Sequence, residues 1–443
     1  MTRKKAGKMG ILVGGGPAPG INSVIAAATI RAALMGVEVV GIRDGFRWIM
    51  RGKTTEVLPL SIDIVSRIHF RGGSVLGTAR DNPTLDAKYT ENMAVALDKL
   101  GVDKLVTIGG DDTAFSAMTL ERHAHGRIRV VHVPKTIDND LDLPHGVNTF
   151  GYQTARHVGV GLVKNLMIDA HSTGRWYFVI SMGRKAGHLA LGIGKAAGAT
   201  ATIIPEEFAE REIRLAHVAD ILAGTIIKRL SENRSDGVAI IAEGIIERLR
   251  PGELAGIEEV GHDAHGHIRL GEIHFFAPVL RARVSERLVS FGLHVPIATK
   301  DIGYELRCAE PIPYDLEYTR DLGFCAAQFI INGGTAAMVS IDEGRFKPIY
   351  FKNMIDAATQ RPRVRMVRID SEYYHIARRY MLRLHASDFE DEEKMAKCAR
   401  VCGITSAQFR KEFYYLVEND PLNRTREPKP RGRQAIEDVM TPF

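Results

Sequence analysis

Short apolar runs alternate with segments of helical period through about the first 250 residues of the chain. An aliphatic run that stops at glycines or polar residues, followed by apolar positions three and four apart, predicts a buried strand leading into a covering helix. Such runs stand at Gly10–Val13, Val37–Ile42, Lys104–Ile108, Ile128–Val133, Trp176–Ser181, Thr200–Ile204 and Gly237–Ala242. Between them, Val24, Ile25, Ala28 and Ala32 share one helical face, which Gly36 can end. Leu85–Leu100, Gly151–Asp169, Ala186–Ala197 and Leu215–Leu230 read as further helices. This alternation predicts βαβ units around parallel sheets, an α/β fold. The order loosens over residues 248–275, whose glycines and His262, His265, His267 and His274 read as a solvated loop or hairpin. A metal site is disfavoured there, because the spacing matches no helix face and no carboxylate frame accompanies it. Beyond residue 350 the pattern is charged and mostly helical, closing in the Pro/Arg-rich stretch Pro421–Arg433.

With 443 residues the chain has room for two domains and a tail. The formal charge of +6 is modest for that length, and the basic clusters Arg3–Lys8, Arg361–Arg368 and Arg424–Arg433 carry no interleaved aromatic residues. That argues against nucleic-acid binding and for solvated surface or phosphate handling. The four cysteines, Cys308, Cys325, Cys398 and Cys402, have no zinc-type spacing. Cys398 and Cys402 fall on one helix face, as two small buried residues would. Met1–Lys8 lacks a following signal-type apolar stretch, and no run reaches membrane-span length. A reducing cytoplasm is the expected setting.

Three polar stretches follow predicted strand ends, where open α/β sheets bind ligands. In Gly14-Gly15-Gly16-Pro17-Ala18-Pro19-Gly20, successive glycines let backbone N–H groups approach an anion, and the following helix N-terminus adds its dipole. It is neither a P-loop nor the dinucleotide fingerprint. Gly109-Gly110-Asp111-Asp112-Thr113 adds carboxylates; Asp111 can hold Mg²⁺, while Asp112 or Thr113 can instead cap the next helix. Pro134-Lys135-Thr136-Ile137-Asp138-Asn139-Asp140 concentrates two carboxylates, a hydroxyl and an amide beside one lysine. An aspartate there can take the proton of a substrate hydroxyl as its oxygen attacks phosphorus, while cations neutralise the phosphoryl oxygens.

Taken together these stretches resemble the phosphofructokinase family, and within it the pyrophosphate-dependent members, from about residue 9 to about 340. Arg71-Gly72-Gly73-Ser74-Val75-Leu76-Gly77-Thr78-Ala79-Arg80 is similar to the donor-side segment, with Arg80 facing phosphate. Met182-Gly183-Arg184 resembles the sugar-phosphate motif, and Arg175 the arginine that reaches a neighbouring subunit's substrate. Glu243 matches the acid on sugar hydroxyls, and Tyr304 with Arg307 the holders of the 6-phosphate. The resemblance implies two Rossmann-like parallel-sheet domains with the active site in the cleft between them, plus a mostly helical C-terminal extension. Residues 1–150, with about 308–345 returning to them, would form the phosphoryl-donor domain. Residues 151–307 would form the sugar-phosphate domain, and 346–443 the extension and tail. It further implies Asp138 as general base on the 1-hydroxyl of fructose 6-phosphate. Thr136, Asp138, Met182 and Gly183 would line the sugar site, Arg184 and Lys135 would stabilise the transferring phosphoryl group, and Gly15 would lie on the donor. Asp111, with Asp140 as a second candidate, would support Mg²⁺. Because Arg175 acts across an interface in such enzymes, a homodimer or homotetramer is expected.

The donor turns on Asp112 and Lys135. ATP-using members usually carry Gly at both positions. Two like charges about 4 Å apart at an effective dielectric of about 20 repel by roughly 4 kcal/mol, so Asp112 opposes a nucleotide's α-phosphate. Lys135 restores positive charge around the shorter donor, and pyrophosphate is favoured over ATP. One family arginine is missing, its place taken by Ala298; Arg281, Arg283 and Lys300 are candidates to compensate. A related ketose phosphate such as sedoheptulose 7-phosphate therefore stays open as acceptor. A non-catalytic regulatory subunit is the reading from a different class, opposed by the retention of Asp111, Asp138 and Arg184.

Overall fold

Burial alternates between two apolar clusters along the first strand. In β1 (Lys8–Val13), Met9, Ile11 and Val13 join one buried cluster and Leu12 joins another. Both faces are covered, which explains a continuous apolar run where a half-exposed strand would alternate. The computed structural model describes residues 7–144, 146–208, 212–250, 252–253, 275–356, 358–359, 361–418 and 420. The four histidines between 262 and 274 and the stretch Pro421–Arg433 lie outside the described residues.

The first sheet has eight strands. Its centre is parallel: β5 (Arg129–Thr136), β4 (Val102–Gly109), β1 and β2 (Val39–Ile42), in that spatial order. A two-residue β6 (Phe150–Gly151) also pairs with β5. The outer pairings depart from the parallel expectation. β3 (Val57–Leu60) runs antiparallel to β2, and its Pro59, which lacks an N–H, is tolerated because the strand lies at the edge.

The second sheet is wholly parallel, in the order β10 (Ile297–Ile302), β7 (Trp176–Ser181), β9 (Gly237–Ala242) and β8 (Ala201–Ile203). In each sheet the strand order reverses beside the strand that carries a predicted motif. The chain leaves β1 for β2 on one side and returns to β4 on the other, so the crevice at the carboxyl ends of β1 and β4 is a topological switch point.

The chain after residue 307 is divided between both sheets. The helix Pro313–Ile331 packs against the helix Ile21–Leu34, and β11 (Ala337–Met338) adds to β5 in parallel. A small ladder of β12 (Ile341–Asp342) and β13 (Arg345–Phe346) follows. β14 (Ile349–Tyr350) then closes that edge of the first sheet in antiparallel sense. The remaining helices are integral to the second half: Leu384, Phe389, Cys398, Cys402, Phe409 and Phe413 join its buried cluster with Trp176, Phe178 and Ile180. Cys398 and Cys402 are buried, as their spacing predicts.

Candidate functional site

Three loops from the first sheet and three from the second meet across one cavity. From the first come Gly15–Pro17 after β1, Gly110–Thr113 after β4, and Lys135–Asp138 with Asp140 after β5, joined by Ala79–Asp81. From the second come Met182, Arg184 and Lys185 after β7, Glu243 after β9, and Arg307 after β10. Phe46 and Ser116 complete the walls.

The glycine loop is held by the segment that carries Arg80. Gly15 N–H donates to the Ala79 carbonyl at 2.9 Å, and the Thr78 hydroxyl donates to the Gly15 carbonyl at 2.6 Å. Gly15 has φ 81°, a left-handed conformation that disfavours side chains, and a Cβ there would lie 3.2 Å from Lys135 Nζ. A Cβ on Gly16 would lie 3.2 Å from the Arg307 guanidinium carbon. Gly14 and Gly109 instead leave room for the side chain of Thr113, which a Cβ would strike at 2.4 and 2.3 Å.

The helix that follows the glycine loop, Ile21–Leu34, does not line the cavity. The helix N-terminus that does so belongs to Asp111–Ala124. The dipole expected from the first helix is therefore supplied by the second, because Gly20 is buried against Thr319 and Phe150. The helix Asp111–Ala124 begins at Gly110 with no side-chain cap, so neither Asp112 nor Thr113 serves as one. Asp111 Oδ1 accepts from Asp112 N–H at 2.9 Å, and Asp111 Oδ2 accepts from Lys185 Nζ at 2.6 Å. Beneath this turn, buried His132 bridges strands: its Nε2 lies 2.9 Å from the Gly109 carbonyl and its Nδ1 2.9 Å from the Thr107 hydroxyl. Burial lowers its pKa to about 3, so the ring is neutral, donating to the carbonyl and accepting from the hydroxyl.

The third loop is the most tightly fixed. Asp138 N–H donates to Thr136 Oγ1 at 3.0 Å, and Asn139 adopts φ 58°. Thr149 N–H donates to Asn139 Oδ1 at 3.0 Å, while the Arg365 guanidinium donates to the Asn139 carbonyl at 3.1 Å and the Val147 carbonyl at 2.7 Å. Asp138 Oδ1 is buried without a hydrogen-bond partner. Burial raises the Asp138 pKa, opposed by the charges of Arg307, Arg184 and Lys135. Lys135 Nζ donates to the Gly16 carbonyl, and burial with the nearby Arg307 charge lowers its pKa to about 7. Glu243 is pushed up to about 8 by burial and by Asp138, and its Oε2 accepts from Gly183 N–H at 3.3 Å. A buried acid with an open oxygen, ringed by cations, can take a proton from a hydroxyl placed beside it and leave anionic oxygens compensated.

The predicted residues Gly15, Arg80, Asp111, Asp112, Lys135, Thr136, Asp138, Met182, Arg184, Glu243 and Arg307 are brought together here, and Asp140 joins them. Gly183 does not line the cavity itself but adjoins it through its N–H on Glu243, and two others stand apart. Tyr304 is exposed, with the Arg307 guanidinium carbon 5.7 Å from its ring. Arg175 precedes β7 and lies 4.0 Å from Asp169, at the opposite end of that strand from Arg184. Six residues of strand span about 20 Å, beyond the reach of one side chain. None of Arg281, Arg283 and Lys300 lines the cavity; Arg283 pairs with Glu286 at 3.3 Å and Lys300 with Glu305 at 3.4 Å. Sequence reasoning missed Lys185, whose only signal was its place directly after Arg184. It also missed Arg365, which lay in a basic cluster read as solvated surface or a phosphate binder.

Among the described residues no three His, Cys, Asp or Glu side chains gather into a metal cage. Mg²⁺ does not require one, since it takes one or two carboxylates and fills its other positions with water and phosphate oxygens. Asp111 and Asp140 on the cavity wall are hard oxygen donors of that kind.

Comparison with known proteins places the chain among relatives of matching architecture. The family profile described as "Phosphofructokinase" matches residues 8–330. A "Pyrophosphate--fructose 6-phosphate 1-phosphotransferase" of Thermotoga maritima is 50% identical over 418 residues, covering 93% of this chain and 99% of that protein. One of the same name from Naegleria fowleri is 45% identical over 427 residues, covering 94% and 98%. The crystal structure of a pyrophosphate-dependent phosphofructokinase from Nitrosospira multiformis superposes with a TM-score of 0.65 at 16% identity. That match covers 85% of this chain and 91% of the other, a likeness of fold.

Proposed function

Because the chain belongs to the phosphofructokinase family, we propose that it transfers a phosphoryl group from pyrophosphate to the 1-hydroxyl of fructose 6-phosphate. The products are fructose 1,6-bisphosphate and phosphate, and the reaction is reversible. The observation that carries this reading is the cavity itself, where buried Asp138 with an open Oδ1 faces Arg184, Lys135 and Arg307 beside Asp111 and Asp112. Near-full-length identity to enzymes named for that reaction supports it.

Asp138 takes the proton of the sugar hydroxyl as its oxygen bonds to phosphorus and the bridging P–O bond of pyrophosphate breaks. Burial raises the pKa of Asp138 and its cationic neighbours oppose that rise, so its carboxylate is a stronger base than a solvated aspartate while the charge it carries stays compensated. Arg184 and Lys135 hold the oxygens of the group in transfer, while Arg80 holds the leaving phosphate beside Gly15, whose lack of a side chain leaves that space open. Thr136, Met182, Gly183, Glu243, Tyr304 and Arg307 form the sugar-phosphate side, and Arg175 serves the site of a neighbouring copy in a homodimer or homotetramer. Asp111, with Asp140, would hold Mg²⁺, which when bound neutralises and orients the donor's phosphate oxygens. Residues 1–150 with 308–345 carry the donor side, 151–307 the sugar side, and the residues from 346 brace both. The four free thiols suit a reducing cytoplasm.

The donor comparison tests the reading. Purified protein with fructose 6-phosphate and Mg²⁺ should turn over with pyrophosphate and barely with ATP; comparable rates with ATP would overturn the donor assignment. Sedoheptulose 7-phosphate belongs in the same assay, because Ala298 sits on β10 where the family's arginine is expected.

A further inference from the structure

Lys185 belongs to the sugar side of the cleft, on the loop after β7, yet its Nζ donates at 2.6 Å to Asp111 Oδ2 on the opposite wall. The charges of Asp111, Asp112 and Asp140 all act on this ammonium. The two cavity lysines are held differently. Lys135 is buried and its Nζ rests on the Gly16 carbonyl within the wall. The Lys185 side chain keeps 28% exposure, and its four-carbon stem can redirect a compact charge.

We propose that Lys185 is a further donor-site residue, a cross-cleft cation that neutralises Asp111 while no donor is bound and passes to pyrophosphate when a divalent cation takes Asp111. The proposal rests on reading the Asp111–Asp112 wall as the donor and metal side. A site that adds Asp112 to Asp111, with Asp140 beside them, must offset this acidic wall before a polyanionic donor can enter. Without a donor, Lys185 competes with the metal for one oxygen, so the metal binds weakly alone and firmly together with pyrophosphate. With the donor present, metal and lysine no longer compete, because the phosphate oxygens accept from the ammonium.

The test uses the full-length protein and the variants Lys185→Met and Lys185→Gln, with Mn²⁺ alone as the probe. Mn²⁺ binding to donor-free enzyme, read by electron paramagnetic resonance, should tighten about tenfold in both variants. The KM for pyrophosphate should rise about tenfold, with the KM for fructose 6-phosphate within twofold of the parent. Unchanged Mn²⁺ affinity, or equal losses in both KM values, would overturn the proposal. Asp111→Asn separates the two levels of inference. If it abolishes Mn²⁺ binding while the Lys185 variants behave as the parent, only the proposal fails. If it keeps parental Mn²⁺ binding, the reading of the donor wall fails and the proposal with it.

Discussion

At the residue scale the site depends on placing acids and bases where burial and neighbouring charge set their protonation. Asp138 has a buried, unbonded Oδ1 and three cations acting on it. Asp138→Asn keeps the shape but removes the proton acceptor. Turnover should fall about 10³-fold while fructose 6-phosphate binding, measured by calorimetry, changes little. Near-normal turnover would remove Asp138 from the mechanism. Asp112 does not cap its helix, and its charge stands at the cavity wall, where the proposed function has it face the donor. Asp112→Gly should raise the ratio of kcat/KM for ATP to that for pyrophosphate by about ten- to a thousandfold, the upper end being unscreened repulsion. A ratio that does not move would assign donor choice elsewhere.

At the element scale, a few buried polar groups join segments far apart in sequence. Asp315, near the start of the helix Pro313–Ile331, accepts from Gly151 N–H at 2.9 Å, Thr154 N–H at 2.7 Å and the Thr154 hydroxyl at 2.6 Å. It thereby satisfies donors at the start of the helix Tyr152–Thr173. Asp315→Ala would strand those donors and should cost about 3 kcal/mol of stability in urea unfolding. Two buried histidines make stability depend on pH. Burial lowers His132 to about 3, and burial with the Arg365 charge lowers His188 to about 4. Below pH 6.5 the unfolded chain takes protons that these folded rings refuse, so stability is full above that pH and falls as pH drops through it. The fall should level near pH 4 for His188 and pH 3 for His132. Denaturation midpoints of His188→Gln against the parent should show a smaller slope between pH 6 and 4.

At the scale of the whole molecule, one strap ties the two halves together beside the cleft. Val364 bridges to Leu141, and Arg363 pairs with Asp142 at 2.7 Å, on the half built around the first sheet. A few residues on, the Arg365 carbonyl lies 3.0 Å from His188 Nε2, and Val367 N–H donates to Glu206 Oε1 at 2.9 Å on the half built around the second sheet. Arg365 holds the loop that carries Asp138 without itself lining the cavity. Arg365→Ala should lower kcat about ten- to a hundredfold, because small displacements of a reacting group are costly. Binding of both substrates should change less than threefold; an unaltered kcat would show that Thr149 and Asn148, whose Oδ1 accepts from Asn139 Nδ2 at 2.9 Å, hold the loop alone.

Much of this was legible in the residues themselves. Trp176–Ser181 and Gly237–Ala242 read as strands with the observed bounds, because a strand covered on both faces must be apolar throughout. The three polar stretches were legible because glycines and carboxylates at strand ends have few structural uses. Local pattern could not indicate which helix end would face the cavity. Ile21–Leu34 and Asp111–Ala124 both follow glycines, and only packing turns the second toward the ligand side. Nor could it place Lys185 against Asp111, or turn part of a basic cluster near the C-terminus into the clamp on Asn139. These contacts join residues separated by 74 and 226 positions, and propensity or spacing carries no information about such pairs. The sequence alone determined the elements and the chemistry available at their ends; the tertiary structure decided which of those groups share one cavity and which charges act on each other there.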